Sequence, residues 1–99
     1  MYNRIFMTTI KELIVEKYLL LETELKQYVT DDIFPSLDCI DVADLVYYIS
    51  LIFLGVTTDE QYRIKIQELL TTNNIKISDT NIGIIVPLIR DFVKWMKEL

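Results

Sequence analysis

The stretch DVADLVYYISLIFLG, residues 41–55, decides the fold. From Leu45 to Leu54 it carries no charge, and Ser50 is its only polar side chain outside the tyrosines. Wound at about 100° per residue, Leu45, Tyr48, Ile49, Ile52 and Phe53 fill one side while Tyr47, Leu51 and Leu54 occupy the other. A helix apolar almost all round is buried in a core or in a membrane. The run is far short of the ~20 apolar residues that cross a bilayer, which selects the core. The expectation is a small domain built around a central apolar helix at residues 42–54. Asp41 serves as its N-terminal cap, and Gly55 as a left-handed C-terminal stop.

N-terminal to this stretch, Ile10, Leu13, Ile14, Tyr18, Leu21, Leu25 and Tyr28 recur at three- and four-residue steps, the signature of an amphipathic helix. Thr9 and Glu12 have capping-box spacing. The helix is therefore expected to start at Thr9, with residues 1–8 a loosely held lead-in and 9–99 a single helical domain. Lys17 falls inside the apolar arc and Leu19 outside it, which predicts a bend or a change of packing partners near Leu21–Thr23. Thr30 caps a short turn holding Ile33 and Phe34, and PSLDCID, residues 35–41, is a connection rich in turn formers.

C-terminal to it, Thr57 with Glu60, or Thr58 with Gln61, supplies the next capping box. That helix buries Tyr62, Ile66, Leu69 and Leu70 and ends at Asn73-Asn74. Ile75-Lys76-Ile77 is too brief for a sheet and reads as an extended link. Ser78 or Asp79 caps the last helix. Pro87 removes a backbone hydrogen bond and its ring presses on the carbonyl of Gly83, which predicts a kink or a break there, giving a short turn at 79–85 and a firm helix at 87–98. There Ile85, Leu88, Ile89, Phe92, Trp95, Met96 and Leu99 share one face, and Arg90, Lys94 and Lys97 the other. The chain thus reads as all-α, a small orthogonal or up-down bundle of four or five helices.

Hydrophobic residues make up 52% of the chain, above the ~45–50% usual in globular domains. A domain this small leaves about a third of its potential surface exposed, so part of the apolar excess stays outside, where a partner or a second copy would use it. The net charge of −5 comes from the first half: residues 1–50 hold four Lys/Arg against nine Asp/Glu, and residues 51–99 hold six of each. An acidic half repels phosphate backbones. Cys39 is the only cysteine, which excludes an intramolecular disulfide and suits a reducing compartment. The opening MYNRIFMTTIKEL lacks the apolar core of a signal peptide, so the expected location is intracellular, cytoplasmic or nuclear, with no membrane span.

Little in the chain carries chemistry. The absence of histidine removes the usual general base, zinc ligand and imidazole triads. Cys39 reads as a small buried hydrophobe. Asp31, Asp32, Asp38, Asp41 and Asp44 form a carboxylate cluster without calcium-loop spacing, so they read as helix caps and solvated charge. Glycine occurs only at 55 and 83, which leaves no phosphate-cradling loop. No enzyme activity, metal, cofactor or small-molecule ligand is expected.

Arg90, Lys94 and Lys97 form a basic face mixed with Asp91 and Glu98. It reads as cations favoured at a helix C-terminus or as a thin nucleic-acid contact. The six tyrosines and the aliphatic excess point instead to a protein interface, with Tyr47, Ser50, Leu54, Tyr62 and Trp95 as candidates. Ala43, Tyr47, Ser50 and Leu54 form the least oily side of the opening helix, and the two small residues lie one heptad apart. Either the last helix or a second molecule is expected to dock there.

The pattern from Leu25 to Trp95, with DLVYYISLIF at 44–53, YRIKIQELL at 62–70 and FVKW at 92–95, resembles the PWI-type helical domain. IFPSL at 33–37 stands where that family carries its Pro-Trp-Ile signature, and the family's basic flank is missing. The resemblance implies that Leu45, Tyr48, Ile49 and Trp95 are core positions, and that a relative without the flank binds protein. YYISLIFLGVTTDEQYRIKIQELL, 47–70, is also similar to the helical dimerisation domain of eukaryotic acidic ribosomal stalk proteins. The leading expectation is a non-enzymatic protein–protein interaction or dimerisation module that presents an apolar, Tyr-bearing helical surface. The alternative is a nucleic-acid-associated helical domain using Arg90, Lys94 and Lys97.

Overall fold

The computed structural model describes residues 2–99, with side chains from Ile10 onward. Among these residues the chain forms four helices: α1 Tyr2–Leu25, α2 Val42–Ile52, α3 Asp59–Thr72 and α4 Asp79–Lys97. No strand is present among them, so the fold is the expected all-α bundle. Each of α1, α2 and α3 packs against α4, and α1 also packs against α2. The hub is therefore α4 and not the segment 42–54.

Local sequence sets the helix ends. Asp41 caps α2 by accepting the Asp44 N–H at 2.9 Å. The helix closes in a turn from Phe53 to Val56 whose third residue, Gly55, has φ +76°, a backbone region that costs glycine nothing. Thr58 and Gln61 form a reciprocal capping box at the start of α3, choosing between the two pairs the sequence offered. At the other end the Ile75 N–H bonds to the Leu70 carbonyl at 2.9 Å and the Asn74 N–H to the Thr71 carbonyl at 3.1 Å. With Asn74 at φ 56°, this is a Schellman motif, and the buried Ile75 and Leu70 supply its apolar closure. Ser78 caps α4.

Two sequence expectations about helix continuity are corrected. The helix α1 begins at Tyr2, so Thr9 lies within it and not at its start; the side chains of 1–9, and with them the Thr9–Glu12 capping box and the lead-in, lie outside the described residues. And α4 runs unbroken through Pro87. A proline inside a helix costs about 3 kcal/mol, whereas each fully buried Ile or Phe contributes about 1.5–3 kcal/mol. Ile82, Ile85 and Val86 before Pro87, with Ile89, Phe92, Val93 and Met96 after it, are all buried. One stripe on both sides of the proline outweighs the local penalty, and Gly83, under the proline ring, has open space around it in which the backbone can adjust.

Between α1 and α2 the chain has no helix from Lys26 to Ile40, yet Val29, Ile33 and Phe34 are buried in the core. Buried Tyr18 pins this segment by donating its hydroxyl to the Pro35 carbonyl. Asn81, in the first turn of α4, ties it from the other side by donating to the Tyr28 carbonyl at 3.3 Å. Burial, and then the nearby carboxylates of Glu22 and Asp32, push the Tyr18 phenol above the ordinary tyrosine range.

Restoring the amide in Pro87→Ala removes the helix penalty, offset in part by a more flexible unfolded chain. Urea denaturation should show a gain of about 1–3 kcal/mol; no gain would mean that α4 has already absorbed the proline at no cost. A phenol whose pKa is raised by folding stabilises the native state fully below the ordinary value near ~10 and loses that contribution as pH climbs past it. Stability should therefore decline above about pH 10, and Tyr18→Phe should flatten the decline while costing about 1 kcal/mol at neutral pH. Parallel pH profiles for the two proteins would refute the assignment.

Candidate interaction surface

Helix α2 buries Leu45 and Ile49, and Phe53 follows them into the core just past its end. The neighbours of α2 lie on that side, which leaves the opposite one bare. Tyr47 is 66% exposed, Leu51 52% and Leu54 76%, at four- and three-residue steps along one face. Ala43 is exposed beside them and Ser50 is half-buried at the margin. The last helix does not cover this face. It packs on the Leu45–Ile49 side, so the segment read as apolar all round is an outer helix with an apolar outer wall. Tyr48, a core position by the PWI resemblance, is partly exposed at the edge.

Charge brackets this wall without entering it. No charged residue occurs between Asp44 and Asp59. The N-terminal end of α2 carries Asp41 and Asp44. At the C-terminal end, Lys97 reaches over from α4 and donates to the Phe53 carbonyl at 2.7 Å and the Val56 carbonyl at 3.2 Å. Beyond Leu54 the apolar surface continues across a shallow depression of about 230 Å³ to Ile64 on α3, with Lys65 and Glu68 at its rim.

The other sequence candidates separate. Tyr62 is only 1% exposed and stacks on Phe53 at 5.6 Å between ring centres, so it is a core residue and presents nothing to a partner. Trp95 is half-buried on a different side, 5.9 Å from the Phe92 ring. It lines a second groove, about 280 Å³, with Lys17, Leu20, Leu21, Leu88 and Phe92 between α1 and α4. Lys17 sits in the apolar arc of α1 because its ammonium lies 5.7 Å from the Trp95 ring centre, a cation–π contact. The helix α1 is continuous through the Leu21–Thr23 region.

Arg90, Lys94 and Lys97 do share a face, but each has a partner. Arg90 pairs with Asp91 at 3.0 Å and Asp59 at 3.5 Å, and Lys94 with Asp59 at 3.8 Å. Lys94 and Lys97 also flank the Tyr62 ring at 5.9 and 5.8 Å. The thiol of Cys39 is exposed and not buried as its residue type suggests, because the turn from Ser36 to Ile40 turns it outward from α2. Leu51 and Ile64 are the surface residues that the sequence reading left out of its candidates. The signal for both is present in the sequence: Leu51 falls on the Tyr47 side of its wheel, and Ile64 falls opposite the Tyr62–Ile66–Leu70 stripe of α3.

No protein-family model matches the chain, and neither a curated protein nor a solved structure matches it. Among the described residues no helix is long and apolar enough to cross a membrane.

The contacts of Lys97 make a structural prediction. Lys97→Met keeps the aliphatic stem but takes the charged donor from both carbonyls, leaving the Phe53 carbonyl only the Val56 N–H, which should cost about 1–3 kcal/mol in urea denaturation. Lys94→Met, which loses an exposed ion pair and a cation–π contact of the kind that Lys97→Met loses too, should cost less, about 1 kcal/mol. Equal effects from the two substitutions would remove Lys97 from this role.

Proposed function

We propose that this chain is a non-enzymatic protein-interaction module that docks a protein partner through the outer face of α2. The observation that carries the reading is the exposure of Tyr47, Leu51 and Leu54 together on a face that no charge interrupts. Isolated exposed apolar residues are ordinary, but a contiguous patch rimmed by polar groups marks an interaction site. A tyrosine among them suits the purpose, since aromatic anchors with a polar tip are enriched in interface centres. The PWI resemblance without a basic flank points the same way.

The nucleic-acid alternative draws less support. Phosphate contact by Arg90, Lys94 and Lys97 must compete with Asp59, Asp91 and the backbone carbonyls already bound there, on a chain whose net charge is −5. Few released counterions mean weak affinity.

Photo-crosslinking tests the docking reading. A benzoylphenylalanine placed at Leu51 or Leu54 should give a discrete adduct in cells, the same probe at exposed Glu16 should give none, and adding Tyr47→Glu should abolish the adduct while leaving the circular dichroism spectrum unchanged. Equal labelling from Glu16, or an adduct indifferent to Tyr47→Glu, would overturn the proposal.

A further inference from the structure

We propose that the occupant of the outer α2 face is a second copy of this chain, packed antiparallel about a two-fold axis with Tyr47 set against the partner's Ser50. The inference rests on the docking surface proposed above and names its partner. Ala43, Tyr47, Ser50 and Leu54 recur at alternating four- and three-residue steps, the spacing of a helix–helix seam. In an antiparallel pair, facing residues have numbers with a constant sum. The register that sets Tyr47 against the partner's Ser50 also sets Ala43 against the partner's Leu54. In both layers a large side chain meets a small one, which lets the two backbones approach closely without a void.

The same register aligns the charges. Asp44 falls opposite the partner's Phe53, the residue that closes α2. The Lys97 ammonium is held at that end of the helix, 2.7 Å from the Phe53 carbonyl. Asp44 makes no ion pair among the described residues, so each α2 has an acidic N-terminal end and a C-terminal end beside the Lys97 ammonium. The two-fold axis pairs them twice. A parallel arrangement would instead set Tyr47 against tyrosine, Asp44 against aspartate and Lys97 against lysine. A face complementary to itself in both shape and charge fits the isologous interface of a two-fold dimer, the commonest symmetric assembly.

The helix is about 16 Å long, and a pair of such faces is smaller than the roughly 1,200–2,000 Å² buried in stable interfaces. The dimer is accordingly a weak one, seen at high concentration. Sedimentation equilibrium of the full chain from about 10 μM to about 1 mM should show a monomer–dimer equilibrium in that range. Asp44→Lys and Tyr47→Ser should each weaken it about tenfold or more. The exchange Tyr47→Ser with Ser50→Tyr rebuilds the same layer from the opposite strands of the seam and should restore the affinity to within about threefold. Asp44 and Tyr47 are exposed and Ser50 is half-buried, and circular dichroism checks that each variant is folded.

A strict monomer at the highest concentration overturns the inference, as does a dimer indifferent to Asp44→Lys and Tyr47→Ser, or an exchange variant no better than Tyr47→Ser alone. If the chain is monomeric while the Leu54 crosslink persists with a heavier partner, the docking surface stands and only its occupant is wrong. If both measurements fail, the surface itself is not an interface.

Discussion

The structure depends on one stripe of α4. Ile85, Ile89 and Val93 are fully buried at four-residue steps, with Val86, Phe92 and Met96 beside them, and the other three helices all lean on this helix. A single apolar face serving three partners explains how a bundle this small assembles around one core. It also explains the tolerance of Pro87, whose defect is local while the stripe extends on both sides of it. Helix propensity is a weak preference beside burial on this scale.

With α4 at the hub, α2 is peripheral. One helix face is enough to hold it: Leu45, Ile49 and Phe53 seat it, Asp41 fixes its beginning, and Lys97 ties its end to α4. Nothing in the stability of the domain calls for Tyr47, Leu51 or Leu54 to be apolar. A polar residue at any of the three would cost the isolated chain little, since exposed positions remote from a cap or a core contribute weakly. Apolar identity at positions the fold does not need is the observation on which the proposed docking surface rests.

The features legible in the sequence are those decided within a few residues. Asp41, the Thr58–Gln61 box, Ser78 and Gly55 all sit where their chemistry places them, because a cap or a left-handed turn involves only near neighbours. What could not be read is which face of an apolar helix acquires a neighbour. The wheel of α2 gives two oily sides, and only the packing of α4 and α1 selects Leu45 and Ile49. The same gap placed Tyr62 at an interface and the Cys39 thiol in the core. Likewise Lys17, a flaw in the α1 pattern, becomes intelligible once Trp95 is brought beneath it from the far end of the chain.

The basic face of α4 shows how composition misleads when partners are distant in sequence. Arg90, Lys94 and Lys97 follow helical spacing and look like a surface for anions, yet Asp59 at the head of α3 and the carbonyls at the end of α2 converge on them. Lys94 and Lys97 flank the Tyr62 ring, Tyr62 stacks on Phe53, and the Phe53 carbonyl receives Lys97. The cations thus close the junction where α2, α3 and α4 meet. This junction fixes the axis of α2 from its C-terminal end, as Leu45 and Ile49 fix it along its length. A helix seated on its inner side along its length and at its C-terminal end presents Tyr47 and Leu51 outward, and for the proposed docking a surface held in this way keeps the ordering cost small. The same cations tie α2 and α3 to α4.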